Sequence, residues 1–225
     1  RIIEQELRKK EHMALIGEIS AGMAHELRNP LASISGSVQY LQKRLKMDDD
    51  TGNLMQIIVT ETQRLSKSIE DFLLFSREKP LHKTTFNLTE LLNEMVQITE
   101  IANQGNVKLR KDYLQHAVWL NADYEKIRQL IQNLISNSVK AIEKSGDIII
   151  ALDRRKSRIR LSVKDQGIGM DSESIKEVFT PFFSKFSKGI GLGMAIVKKI
   201  VDEHQFDIDI SSERGRGTEV TIWME

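Results

Sequence analysis

The sequence has 225 residues, with 33 lysines and arginines against 32 aspartates and glutamates and a formal net charge of +1. That balance argues against a nucleic-acid surface, which requires clustered excess positive charge, and the absence of cysteine excludes disulfides and thiolate-bound zinc. No apolar run in this sequence approaches the roughly 18 residues of a membrane span, and no stretch of it reads as a signal peptide. The length accommodates two modest domains. Because the chain begins at Arg1, without Met, inside a pattern that already looks helical, it is expected to be a cytoplasmic fragment of something longer. Any membrane attachment would lie in segments outside it.

From Arg1 to about Met47 an apolar stripe runs through Ile3, Leu7, Ile16, Ile19, Met23, Leu27, Ile34, Val38 and Leu45 at near-heptad spacing, which predicts a long amphipathic helix. Pro30 interrupts it. A proline removes one backbone bond and clashes with the preceding turn, so a bend is expected just after His25. His25 lies two positions from Met23, well off the stripe at about 100° per residue, and should face water or a partner. With Glu26 beside it to fix the tautomer, it has the form of a nucleophile. Asn29 stands one turn ahead on the same side. The run Asp48-Asp49-Asp50-Thr51-Gly52-Asn53 reads as a turn. A second stripe follows through Leu54, Ile57 or Ile58, Glu61, Leu65, Ile69, Phe72 and Phe75, and ends before Pro80. Two such helices have too little to bury alone, so residues 1–80 are expected to pair with a second copy as a dimeric four-helix bundle.

Residues 81–225 read as a second domain. Leu81 to Thr85 is expected to be a short connector. Asn87 can cap a helix over Leu88 to about Ala102, and Val107 to Tyr113 and Val118 to Leu120 look like strands. Asp123 opens a helix carrying Ile127, Leu130, Ile131, Leu134, Ile135, Val139 and Ile142. Strands are predicted at Ile148 to Leu152 and Arg158 to Lys164, a short helix from Ser172 to Phe179, and a loop from Thr180 to Lys188. A helix from about Gly191 to His204 precedes two strands, Ile208 to Ser211 and Glu219 to Met224, which flank a turn at Gly215-Arg216-Gly217. Strands covered by helices make an α+β or mixed α/β layer.

Three motifs in this half carry chemistry. Asp165-Gln-Gly-Ile-Gly-Met170 follows a strand directly, so a carboxylate at a strand end can accept from an amino group such as that of adenine while Gly167 and Gly169 let backbone approach the ring. Gly189-Ile-Gly-Leu-Gly193 opens a helix, and backbone N–H groups there suit phosphate. Taken singly, each cluster is equally a turn. Asn133 and Asn137 are i and i+4 on the long helix, with Lys140 three residues further. An asparagine oxygen suits Mg²⁺ already crowded by phosphate, and a lysine can meet phosphate as a point charge. The same residues also describe an ordinary polar helix face.

In combination and order, the sequence resembles the sensor histidine kinases of two-component signalling. The family's phosphoacceptor box looks like Ala24-His25-Glu26-Leu27-Arg28-Asn29-Pro30-Leu31, and its asparagine box like Asn133-Leu-Ile-Ser-Asn137 with Lys140. Its first glycine box looks like Asp165 to Gly169, its phenylalanine box like Phe179-Thr-Pro-Phe-Phe183, and its second glycine box like Gly189, Gly191 and Gly193 with the residues between. The resemblance implies a dimerisation and phosphotransfer bundle joined to an ATP-binding α/β sandwich. It implies His25 as phosphoacceptor, Glu26 as acceptor of its Nδ1 proton, and Asn137 as the Mg²⁺ ligand with Asn133 close by and Lys140 at the phosphates. Asp165 would recognise adenine, with Thr218 in support, and Asn29 would serve hydrolysis of the partner's aspartyl phosphate. The implied partners are a second copy and a response regulator receiver domain.

Departures from the family pattern are Ile190 in place of threonine, Ser138 in place of alanine, and a short lid between Phe183 and Gly189 in which Lys185 and Lys188 are candidate phosphate contacts. Two rival readings are an ATP-hydrolysing domain of the chaperone and topoisomerase type and a nucleotide-free helical scaffold. The first would place a glutamate where Asn133 stands, to activate water, and a neutral amide is a very poor base.

Overall fold

A computed structural model describes residues 27–45, 48–76, 80–103, 107–113, 116–155, 157–186 and 190–225. The chain divides into two units, Arg1–Lys79 and Pro80–Glu225. The helical stripe before residue 27, and the bend expected after His25, lie outside the described residues.

In the first unit, residues 27–44 form helix α1, with Pro30 inside it, and Asp49–Ser76 form α2. The acidic run expected to be a turn is instead the start of α2. Asp48 Oδ1 accepts the backbone N–H of Thr51 at 2.9 Å, and Asp49 and Asp50 occupy the first turn, where negative charge meets the positive end of the helix dipole. An ion pair of 3.7 Å joins Arg28 on α1 to Glu70 on α2. A groove between the helices is lined by Leu31, Ala32 and Ser35 on one side and Thr62, Ser66 and Glu70 on the other.

The predicted stripe of α2 divides: Ile69, Phe72 and Phe75 are half-buried, while its first half is turned away from α1. Val59 is 4% exposed and Thr62 7%, whereas Ile58 is 44% and Leu65 50%. Two heptad rows run side by side on this helix, one residue apart: Met55, Val59, Thr62 and Ser66 turned inward, Leu54, Ile58, Glu61 and Leu65 turned outward. On α1, Leu27, Ile34, Leu41 and Leu45 are likewise exposed, while Leu31 and Val38 are half-buried.

The second unit is built on a five-stranded sheet of order β2-β4-β5-β7-β6, from β2 (Val107–Asp112), β4 (Gly146–Arg155), β5 (Arg158–Asp165), β6 (Asp207–Glu213) and β7 (Gly217–Met224). Only β2 and β4 run parallel. Along β5, Ile159, Leu161, Val163 and Asp165 are buried, and along β7 Val220, Ile222 and Met224, so one face of the sheet is core. Helices α3 (Leu88–Ala102), α4 (Tyr124–Ala141) and α6 (Gly193–His204) cover it with Leu88, Leu92, Ile127, Leu130, Ile131 and Val197. The caps are local: Asn87 accepts from Thr89 N–H at 3.1 Å, Asp123 from Lys126 N–H at 3.2 Å, and Asp171 from Ser174 N–H at 2.9 Å at the start of α5 (Ser172–Glu177).

Some boundaries differ from expectation. The connector over Leu81 to Thr85 contains a strand, β1 (Lys83–Asn87), antiparallel to β3 (Trp119–Asp123). Lys83, Thr84 and Thr85 are exposed, so β1 lacks the apolar alternation that marks a strand. The strand predicted at Val118 to Leu120 extends through polar Asn121 to Asp123, with Ala122 buried. Helix α6 begins at Gly193, not Gly191, because Gly191 has a φ of +75°.

His204, at the end of α6, ties that helix to the start of α4. Its Nε2 accepts the N–H of Asp123 at 3.1 Å and its Nδ1–H donates to Ile200 O at 2.8 Å, a pattern only the neutral ring can satisfy. Lys126 and Glu203 pair beside it at 2.6 Å.

Candidate nucleotide site

The site is assembled where α4, α6 and the loop after β5 converge. Apolar residues of α4 face the core at three-and-four spacing, which leaves Asn133 and Asn137 together on the flank, half-buried. The Nδ2 atoms of both are buried and without a hydrogen-bond partner. Gly193, the first residue of α6, stands opposite. A Cβ there would lie 3.5 Å from both amide atoms of Asn137 and 3.8 Å from Asn133 Oδ1, so glycine keeps the space between helix start and asparagines clear. Leu192, the N-cap, supplies no side-chain hydrogen bond to the first-turn N–H groups of α6.

Buried amide donors without an acceptor, beside a helix start without a side-chain cap, fit the oxygens of a phosphate chain. The oxygen of Asn137 fits a hard cation bound alongside them. Among the described residues no group of three histidines or carboxylates offers a cation a different home.

Asp165 closes β5 and is 4% exposed. Its Oδ1 accepts the N–H of Gly167 at 2.9 Å and of Thr218 at 3.2 Å, and the Ser138 hydroxyl on α4 is near enough to draw the carboxyl's pKa down. Burial pushes its pKa above the usual carboxylate value, against the pull of these donors. The loop that follows is pressed between two neighbours. A Cβ on Gly167 would come within 2.5 Å of Ala141 Cβ, and one on Gly169, whose φ is +63°, within 2.0 Å of Glu213 O. Gly215 N–H donates to Ile168 O at 2.7 Å and Met170 N–H to Ser212 Oγ at 2.8 Å, so the turn between β6 and β7 forms one wall. Thr218 lies in that wall with its Oγ1 2.8 Å from Ser212 Oγ.

The structure thus brings Asn133, Asn137 and Gly193 together and sets Asp165, Gly167, Gly169 and Thr218 around a second point. Gly191 packs against the phenylalanine box, where Phe182 N–H donates to its carbonyl at 3.0 Å. Lys140 is exposed on the last turn of α4. Lys185 is paired with Asp171 at 2.8 Å, and this ammonium and Ser174 hold the Asp171 carboxyl well below the usual carboxylate range. Asn29 is exposed on α1, in the other unit, and His25, Glu26, Lys188 and Gly189 lie outside the described residues. Ser138, Ser212 and Gly217 were not picked out as site residues. A signal existed for Ser138, a hydroxyl at i+4 from Leu134 on the apolar face of α4.

Residues 15–80 match the family model of the His Kinase A (phospho-acceptor) domain, and residues 122–225 that of the Histidine kinase-, DNA gyrase B-, and HSP90-like ATPase. Fold and site define a phosphoacceptor helical hairpin followed by a nucleotide-binding α/β domain. The chain belongs to the sensor histidine kinases of two-component systems. It is 30% identical to sensor histidine kinase ZraS of Escherichia coli (strain K12) over 225 residues, which is 100% of this chain and 48% of that protein. It is 31% identical to sporulation kinase C of Bacillus subtilis (strain 168) over 219 residues, 96% of this chain and 50% of the other. The chain therefore spans about half the length of the curated relatives it matches. Among solved structures, histidine kinase ThkA in complex with response regulator protein TrrA is similar with a TM-score of 0.69 at 29% identity, covering 99% of this chain and 65% of that one. Full-length ShkA in complex with AMPPNP shares the fold, with a TM-score of 0.76 at 23% identity over 92% of this chain and 45% of that one. Among the described residues no helix is long and apolar enough to cross a membrane.

Proposed function

We propose that the chain is an ATP-dependent protein-histidine kinase core, acting in the cytoplasm, that phosphorylates itself on His25 and passes the phosphoryl group to an aspartate on a response regulator receiver domain. The observation that carries the reading is the pair of buried, unpartnered amides of Asn133 and Asn137 set against Gly193 at the open start of α6. A nucleotide-free scaffold supplies these two donors, side by side and facing a helix start, with no acceptor.

Asp165 accepts from the adenine amino group, with Gly167 and Gly169 admitting the ring and Thr218 in support. Asn137 holds Mg²⁺ through its amide oxygen. Asn133, Lys140 and the N–H groups of the Gly189, Gly191 and Gly193 segment meet phosphate. Bound Mg²⁺ supplies neutralisation of charge on the phosphate oxygens. In the transfer, Glu26 takes the Nδ1 proton of His25 as Nε2 forms a bond to the γ-phosphorus; the bond from that phosphorus to the bridging oxygen breaks, and its electron pair leaves with ADP. The neutral amide of Asn133 favours transfer to a protein acceptor over hydrolysis, since it activates water poorly. Asn29, four residues after His25 in sequence, orients water for hydrolysis of the receiver's aspartyl phosphate. The outward apolar rows of α1 and α2 are the seam of a homodimer.

Incubation with Mg²⁺ and γ-labelled ATP should label the chain in an acid-labile, base-stable form that is absent from His25→Ala. Label that survives acid, or persists in that variant, would overturn the acceptor. Asn29→Ala should keep autophosphorylation and lose dephosphorylation of a phosphorylated receiver; equal loss of both removes the role.

A further inference from the structure

We propose that Ser212 is a positioning residue for base recognition: by taking the hydrogen of the Thr218 hydroxyl it leaves Thr218 able only to accept, and so favours a purine with an exocyclic amino group over one with a carbonyl oxygen. This rests on the nucleotide-binding reading above.

Asp165, Thr218 and Ser212 stand directly opposite one another on the adjacent strands β5, β7 and β6, so their side chains share one face at one end of the sheet. Two residues along, the same row is Val163, Val220 and Ile210. The polar row therefore lies where the apolar core ends and the loop after β5 begins.

The hydrogens in this row can be counted. A serine hydroxyl has one hydrogen to give and two lone pairs to fill. Ser212 Oγ donates to Gly217 O at 2.9 Å, since a carbonyl cannot donate, and it accepts the Met170 N–H at 2.8 Å. In its remaining contact, with Thr218 Oγ1 at 2.8 Å, the donor is then Thr218. Gly217 and Met170 act through backbone atoms, so the fold supplies this polarity whatever their side chains. With its one hydrogen committed, Thr218 Oγ1 has only lone pairs left for a ligand. Asp165 Oδ1, held by the N–H groups of Gly167 and Thr218, is likewise an acceptor. A group seated on this row must bring the hydrogens itself. The amino group of adenine does so; the carbonyl oxygen of guanine or hypoxanthine does not. Without Ser212 Oγ, the Thr218 hydroxyl is free to turn and to donate to such a carbonyl.

The test titrates the full chain by calorimetry at neutral pH with ADP and with inosine diphosphate, whose base carries a carbonyl oxygen in place of the amino group. Ser212→Ala should tighten inosine diphosphate binding on the order of three- to tenfold, the scale of one gained hydrogen bond, and shrink the preference for ADP accordingly. Ser212→Thr, which keeps a hydroxyl, should hold the parental preference. In a Thr218→Val background, where no hydroxyl is left to turn, Ser212→Ala should leave the preference unchanged. Thr218→Val alone should weaken ADP without tightening inosine diphosphate, and this arm decides the matter if Ser212→Ala does not fold. A Ser212→Ala chain with the parental preference, or with equal loss of both diphosphates, overturns the proposal, as does a Thr218→Val chain with the parental preference. So does an effect of Ser212→Ala that persists in the Thr218→Val background, which would place it in the loop that Met170 anchors. A parent chain that binds the two diphosphates alike overturns this inference and leaves the nucleotide reading standing; one that binds neither overturns both.

Discussion

The two units handle apolar surface in opposite ways. In the second, Leu88, Leu92, Ile127, Ile131, Ile148, Leu161 and Ile222 are at most 1% exposed, inside a core the unit completes by itself. In the hairpin, Val59 is the one described apolar residue that is buried, while Leu54 is 62% exposed, Ile57 57% and Leu45 53%. A soluble domain seldom leaves such a row open. The difference teaches that the second unit closes its core within one chain, whereas the hairpin leaves apolar rows that the homodimer proposed above would cover.

Three experiments break or sharpen that contrast. The largest effect is expected from Ile58→Glu with Leu65→Glu, which puts charge on the outward row. Residues 1–80 should lose their dimer and their helical melting transition, while residues 81–225 melt cooperatively and independently of concentration. Light scattering and circular dichroism on the two fragments read this out, and a hairpin that stays dimeric with both glutamates would refute the seam. Next, Asp165→Asn should weaken ADP binding by roughly 10- to 100-fold, because an amide can present its NH₂ to adenine. The same change should raise the melting temperature of the free unit, since it removes a buried carboxyl whose folded-state pKa lies above its unfolded one. For such a group, relative stability is fully present below the unfolded pKa and is lost as pH rises through the folded pKa.

The smallest effect concerns His204. Burial first, then the nearby Lys83 and Lys126, hold its imidazole below the ordinary 6.5, against the pull of Ile200 O and Asp123. With the folded pKa lowered, the stability this neutral ring contributes is present above pH 6.5 and is lost as pH falls through the folded value. Urea titrations of residues 81–225 should show that decline, on the order of 1 kcal/mol, and His204→Gln should flatten it. A slope unchanged in the variant would assign the decline to other groups.

What could be read before the coordinates was what is local. The caps at Asn87 and Asp123, the i and i+4 asparagines and the glycine boxes all advertise themselves within one turn of chain. What could not be read depends on distant neighbours. Strand β1 has three exposed residues and is a strand only because β3 pairs with it, Phe86 opposite Leu120. The outward row of α2 matches the first half of the predicted stripe, while the row one residue along meets α1 there, and periodicity alone cannot rank two adjacent heptad rows. Ser138 stands 27 positions before Asp165, and Gly193 far along the chain from Asn137; no spacing rule links either pair.

The sheet order also bears on biosynthesis. β7 is the last of the described strands in sequence, yet it lies inside the sheet, hydrogen-bonded to β5 on one side and β6 on the other. While the chain is being made, β2, β4 and β5 can assemble as they emerge, but β6 has no neighbour until β7 arrives. Thr218, which grips Asp165 from β7, arrives with it. A nascent polypeptide therefore has no finished surroundings for Asp165 until this strand clears the ribosome. A nonsense codon between Pro80 and Gly217 would leave the helical hairpin of the first unit intact and the second unit without the strand that completes this site.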